Sequence, residues 1–99
     1  MPNLSVPAGA ETVLKIGPNI SLQSMGEGEG GVLLRLDTGE MYTVNDTTLE
    51  FLQLVDGNRS IGSIVSSLLE IFEVDEATLL ADMMSMATEL SSESLVVPV

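Results

Sequence analysis

The chain has 99 residues, enough for one small domain, and 44% of them are apolar, which favours a packed core over disorder. It carries 15 acidic and 3 basic residues, so its formal net charge is -12. This charge repels nucleic acids and anionic membrane surfaces and attracts basic proteins or peptides. A role in solubility alone would also account for it.

The first residues, MPNLSVPAGAETVLKIGP, lack the positive region and the continuous apolar core of a signal peptide. No apolar run approaches the ~20 residues that span a bilayer, so we expect a soluble cytoplasmic protein. Pro2, Pro7 and Gly9 disfavour regular structure. We therefore predict a loose arm over residues 1–18, with any order confined to Val13 to Ile16, and a domain over residues 19–99.

Three short strands are predicted next. Residues 19–25, NISLQSM, alternate apolar and polar side chains, which is a weak strand pattern. The segment GEGEGG at residues 26–31 is expected to be a loop, because its acidic side chains argue against a phosphate-binding function. Residues 32–37 and 40–44 then form a hairpin, in which Gly39 accepts the positive φ of a bulged turn.

Three helices follow, and each is preceded by a residue suited to capping it: Asn45, Ser60 and Asp75. Apolar residues recur at helical spacing in all three, and the third helix is expected to end at about Leu90. An apolar tail at residues 95–97 is predicted to return to the sheet or pack on it. The order indicates an α+β domain with a three-stranded antiparallel sheet followed by three helices.

Catalytic side chains are scarce. The sequence contains no His and no Cys, so the candidate bases are carboxylates and Lys15. No Ser or Thr stands at a spacing that suggests a nucleophile, and no DxDxDG-type loop is present to bind a metal ion. We therefore expect no enzyme activity, no metal and no cofactor.

Two surfaces are candidates for binding. If the return strand of the hairpin is outermost, Met41, Tyr42, Thr43 and Val44 present unpaired backbone groups to which an extended peptide could add as a further strand. The third helix carries the acids Asp75, Asp82 and Glu89, spaced by seven. This acidic column flanks an apolar stripe formed by Leu79, Met83, Met86 and Leu90. The alternative to a binding groove is an ordinary helix, in which the apolar stripe packs in the core and the acidic face is solvated. On the pattern alone, this alternative is favoured.

The same run of motifs resembles the PqqD-like family, also called the RiPP recognition element, which serves ribosomally synthesised and modified peptides. The resemblance rests on an apolar strand with Leu33-Leu34, a turn with Gly39, a strand ending in Val44-Asn45 and a helix ending at Asp56-Gly57. It continues through a helix at residues 60–64, the pair Asp82-Met83 and the tail Leu95-Val96-Val97, and covers roughly residues 20–97.

The resemblance implies a winged-helix-like domain without catalytic activity. It implies that the leader segment of a precursor peptide binds as an added strand against Met41, Tyr42, Thr43 and Val44. The helical wall of the groove would be Leu79, Asp82, Met83, Met86 and Leu90. Partner enzymes would be a radical-SAM protein, a leader peptidase or a similar modifying enzyme. The acids beside the groove would favour leaders with basic residues next to apolar anchors.

A second function remains open. The apolar face of the third helix could instead bind a folded partner or a second copy of the chain, which would make the protein a structural or regulatory subunit. Nucleic-acid binding, although winged helices often serve it, is excluded by the charge.

Overall fold

The structure is a computed structural model, and it describes residues 9–99. The elements, in chain order, are β1 Leu14–Ile16, β2 Ile20–Ser24, β3 Gly31–Arg35, β4 Met41–Val44, α1 Asp46–Gln53, α2 Ile61–Leu68, α3 Glu76–Ser92 and β5 Val96–Pro98. The predicted α+β architecture of a three-stranded antiparallel sheet followed by three helices is confirmed.

The main sheet has the order β2-β3-β4 and is antiparallel throughout, so β3 is central and β4 is outermost. The turn between β3 and β4 is bulged as predicted. Gly39 has φ 81° and donates its N–H to the Arg35 carbonyl (2.7 Å), while the Arg35 N–H donates to the Glu40 carbonyl (2.8 Å). Two residues thus oppose one across the ladder, and only glycine adopts this φ at no steric cost.

The three predicted caps are confirmed. The side chain of Asn45 accepts the Thr48 N–H at 2.9 Å, and Ser60 and Asp75 each accept the N–H three residues further on, at 3.2 and 3.0 Å. Each bond satisfies a backbone donor that the first turn of a helix would otherwise leave unpaired. The third helix extends to Ser92, slightly beyond the expected end at about Leu90.

The core lies between one face of the sheet and the three helices. Its largest fully buried side chains are Phe51, Leu33, Leu52, Ile61, Ile64, Leu68, Leu95, Val65 and Val96. Leu33 faces the helices from the central strand, and Phe51 occupies the middle of α1. Burying these side chains is the main stabilising contribution, at about 1.5–3 kcal/mol for each large one.

The two ends of the described chain meet in a second, two-stranded sheet of β1 and β5, in which Lys15 pairs with Val97. The apolar tail therefore pairs with β1 and not with the main sheet. Leu14 of β1 is buried, so the segment predicted as a loose arm is ordered where order was anticipated, near Val13 to Ile16. Residues 1–8 of that arm lie outside the described residues, and the boundary at residues 18 and 19 stays a prediction.

A cleft beside the outer strand

One edge of β4 is open. The neighbours of β3 are β2 and β4, and no strand among residues 9–99 covers the far side of β4. Since Arg35 and Glu40 form a hydrogen-bonded pair and such pairs alternate along an antiparallel ladder, Tyr42 and Val44 direct their N–H and C=O groups toward β3. The N–H and C=O groups of Met41 and Thr43 therefore point to the open edge.

The side chains of β4 alternate between the two faces of the sheet. Tyr42 and Val44 are half-buried and pack against the core, whereas Met41 and Thr43 are exposed on the opposite face. A strand added at this edge would likewise place every second side chain over the helical layer. The shape and chemistry of the helical layer next to β4 therefore decide which side chains such a strand could carry.

A cleft of about 440 Å³ lies between α3 and the beginning of α1. Its floor consists of Leu79 and Met83, which are 4% and 5% exposed, and of the half-buried Met86. Its rim on the α3 side consists of Thr78, Asp82, Ser85 and Glu89, all of them exposed. These positions are spaced by four, three and four residues, so they form one stripe along the helix.

The opposite wall is polar and uncharged where it meets the strand. Asn45, Thr47 and Thr48 line the cleft there, and Asn45 follows β4 directly in the chain. The cleft therefore begins where β4 ends.

Arg35 closes the far end of the gap between sheet and α3. Its Nη2 donates to the Glu93 carbonyl at the end of α3 (2.7 Å), its Nε lies 3.3 Å from Glu40 Oε1, and its Cζ lies 5.9 Å from the centre of the Tyr42 ring. Interaction with the Tyr42 side chain and attraction by nearby carboxylates raise the pKa of Arg35 above its ordinary value. Arg35 lies opposite the start of β4 and contacts the end of α3, whereas Asn45 at the end of β4 lines the cleft with earlier residues of α3. The strand β4 and the helix α3 therefore run in opposite directions.

The structure brings together four of the predicted wall residues, namely Leu79, Asp82, Met83 and Met86. Leu90 is half-buried against the core and does not line the cleft. Met41, Tyr42, Thr43 and Val44 form the open edge and are not part of the cleft lining. Whether any of these residues contacts a ligand stays a prediction. The alternative interpretation, in which the apolar stripe of α3 belongs to the core, is also correct in part. Leu79 and Met83 are part of the core as well as of the floor of the cleft.

Sequence reasoning missed the wall at the start of α1 and two of the rim residues. Thr78 and Ser85 stand four before and three after Asp82, so the helical spacing alone could have found them. Asn45 was recognised as a cap, but nothing in its neighbourhood reveals that α1 begins opposite α3. Of the acidic column, Asp82 and Glu89 line the cleft, whereas Asp75 caps α3.

Residues 9–99 contain neither a candidate metal site nor a candidate membrane span. No group of three or more His, Cys, Asp or Glu side chains there could hold a metal ion. No helix in this part of the chain is long and apolar enough to cross a membrane.

Comparison with known proteins identifies the family. The family model for coenzyme PQQ synthesis protein D (PqqD) matches residues 30–96. A comparison with curated protein sequences finds no match.

Three solved structures share the fold. The PqqD truncation of Methylobacterium extorquens PqqCD, described as a functional stand-alone RiPP recognition element, superimposes with a TM-score of 0.75 at 21% identity, over 93% of this chain and 95% of that one. Lasso peptide synthetase B1 complexed with the leader peptide gives 0.72 at 25% identity, over 86% and 98%. TbiB1 in complex with the TbiA(beta) leader peptide gives 0.71 at 21% identity, over 83% and 93%. Because the family match spans about two thirds of the sequence, from the end of the glycine-rich loop to β5, this chain belongs to the PqqD family.

Proposed function

We propose that this protein binds the leader segment of a ribosomally synthesised precursor peptide and presents it to a modifying enzyme. The leader adds as a strand to the open edge of β4 and lies in the cleft beside α3. Two of the similar structures are complexes with leader peptides, which supports the same role for this chain. The observation that carries the proposal is an outer strand beside a cleft with an apolar floor. No strand among residues 9–99 pairs with the backbone groups of Met41 and Thr43 on this strand.

The two parts of the site have complementary tasks. Strand addition supplies main-chain hydrogen bonds, which contribute affinity with little dependence on the leader sequence. The cleft binds every second side chain of the leader and so provides specificity. The domain itself performs no chemistry in this proposal, and the reaction belongs to the partner, a radical-SAM protein, a leader peptidase or a similar enzyme. We further propose that this occurs in the cytoplasm, where ribosomes make the precursor.

The alternative, in which α3 docks a folded partner or a second copy, has less support. The Leu and Met side chains of α3 are either buried, as Leu79 and Met83 are, or half-buried against the core. The large apolar side chains that are exposed among the described residues are Met25, Leu36, Met41, Ile71, Val74 and Val99, and none of them lies on α3. A dimer through α3 would therefore bury little additional apolar surface.

An amide-resolved NMR titration tests the proposal, with the leader of the precursor encoded nearest to this gene as the ligand. We expect shifts that cluster in Met41–Val44 and along the cleft side of α3, from Thr78 to Glu89. Binding with shifts confined to other surfaces would refute the strand-addition site. A mass that rises with protein concentration, measured by light scattering without peptide, would favour the dimer.

A further inference from the structure

The two carboxylates on the rim of the cleft, Asp82 and Glu89, have no partner of opposite sign among residues 9–99. The chain has three basic residues, and two of them form ion pairs elsewhere, Arg35 with Glu40 and Arg59 with Asp56. The third, Lys15, lies on β1 in the other sheet. No cation among residues 9–99 pairs with Asp82 or Glu89, and both carboxylates are exposed at the cleft.

The spacing of these acids matches the repeat of an added strand. Asp82 and Glu89 are seven residues apart on α3, which corresponds to about 10.5 Å along the helix axis. Side chains on one face of a strand repeat about every 6.7 Å, so the first and third of three successive ones are about 13 Å apart. The flexible stems of Lys and Arg can bridge the difference of a few ångströms, since both side chains have several rotatable bonds.

The part of the cleft between the two acids is apolar. Met83 and Met86 lie on the floor between Asp82 and Glu89 in the sequence of α3. Methionine adapts to differently shaped apolar partners because its chain is unbranched and polarizable. The middle one of the three inward side chains of an added strand would therefore meet an apolar surface.

We infer that the leader is recognised through the pattern basic–x–apolar–x–basic. The two basic side chains pair with Asp82 and Glu89, the apolar one packs on Met83 and Met86, and the intervening residues face solvent. This inference rests on the proposed function and adds to it the class of leader that the site selects. Each exposed ion pair contributes about 1.4- to fivefold in affinity, so the two acids together favour the pattern by about 2- to 25-fold.

A selection of displayed random decapeptides tests the inference. It is carried out in parallel on wild-type protein, on the variant Asp82→Lys/Glu89→Lys and on the control Glu29→Lys/Glu70→Lys. The control changes the net charge by the same amount at two exposed positions that do not line the cleft. All four acids are exposed, so circular dichroism is expected to report the same fold for the three proteins.

The expected result is that wild type and control enrich peptides with Lys or Arg four residues apart around a central apolar residue. The cleft variant should instead enrich Asp or Glu at those two positions. Synthetic copies should shift the amides of Met41–Val44. Moving both Lys residues by one position, at constant composition, should weaken binding about 2- to 25-fold. Selected peptides that shift these amides but carry no charge pattern would overturn this inference and leave the proposed function standing. Selected peptides that bind without shifting β4 would overturn both.

Discussion

The replacement Thr43→Pro separates strand addition from every other way of using the cleft. The Thr43 N–H points away from β3, as deduced from the Arg35–Glu40 pair and the alternation of the ladder. Proline removes this donor and fixes φ at about -65°. No ladder bond within the domain is lost, and proline is tolerated on edge strands when its missing N–H faces outward.

The expected loss of affinity is estimated from one lost hydrogen bond among those that an added strand would form. Met41 and Thr43 offer two N–H donors and two C=O acceptors, so strand addition forms up to four backbone hydrogen bonds. Losing the Thr43 donor leaves a carbonyl of the leader unsatisfied in a partly buried site, which costs about 1–3 kcal/mol. The dissociation constant should therefore rise about 5- to 150-fold.

Fluorescence anisotropy with a labelled leader measures this change. The control Thr43→Val keeps the N–H and the β-branched shape, so it should bind as wild type does. A second control, Tyr42→Pro, removes an N–H that points into the ladder with Leu33 and should lower the melting temperature, whereas Thr43→Pro should change it little. If Thr43→Pro folds and binds within twofold of wild type, the leader does not add to β4.

Three further predictions concern the frame around the site. Gly30→Ala should lower the free energy of unfolding, measured by chemical denaturation, by at least about 1–2 kcal/mol. Gly30 has φ 72°, and a Cβ there would collide with the Val44 carbonyl. The control Gly9→Ala, at a position with space for a Cβ, should have little effect. Arg35→Met should loosen the end of α3, because it removes the bond to the Glu93 carbonyl. Amide exchange in the last turn of α3 should become faster while the global stability changes little; unchanged exchange would contradict this role. The N–H groups of Asn58 and Arg59 lower the pKa of Asp56 below its ordinary value, so its stabilising contribution should be present above that value and lost as the pH falls through the lowered one. An NMR titration of its carboxyl carbon should show a lower midpoint in the folded protein than in the urea-unfolded protein.

The features that could be predicted from the sequence are those with local causes. The caps of the helices depend on a side chain and an N–H three residues away, and the bulged turn depends on one glycine, so short motifs sufficed. The pairing of β1 with β5 joins Leu14 to Pro98, at opposite ends of the chain, and no local pattern specifies such a contact. This pairing is a result of tertiary packing.

The site divides in the same way. Asp82, Met83 and Met86 share a helical face, which periodicity reveals. The wall at Asn45 and Thr47 exists because α1 begins opposite α3, which is a result of tertiary packing. Leu90 continues the predicted stripe, but its carbonyl accepts the Leu95 N–H (2.9 Å) where the chain turns toward β5, and its side chain packs on the core beyond the end of the cleft.

The floor and the rim of the cleft differ in how freely they can change. Leu79 and Met83 are part of the core, and truncating such a side chain costs about 2–5 kcal/mol of the 5–15 kcal/mol that stabilise a typical domain. The replacement Met83→Glu would therefore test folding before it tested binding. Rim residues such as Asp82 and Glu89 are exposed, and replacing them usually changes stability by less than about 0.5 kcal/mol. Replacing rim residues can therefore change which leader is preferred without disturbing the fold. The open edge of β4 would still form main-chain hydrogen bonds with any leader.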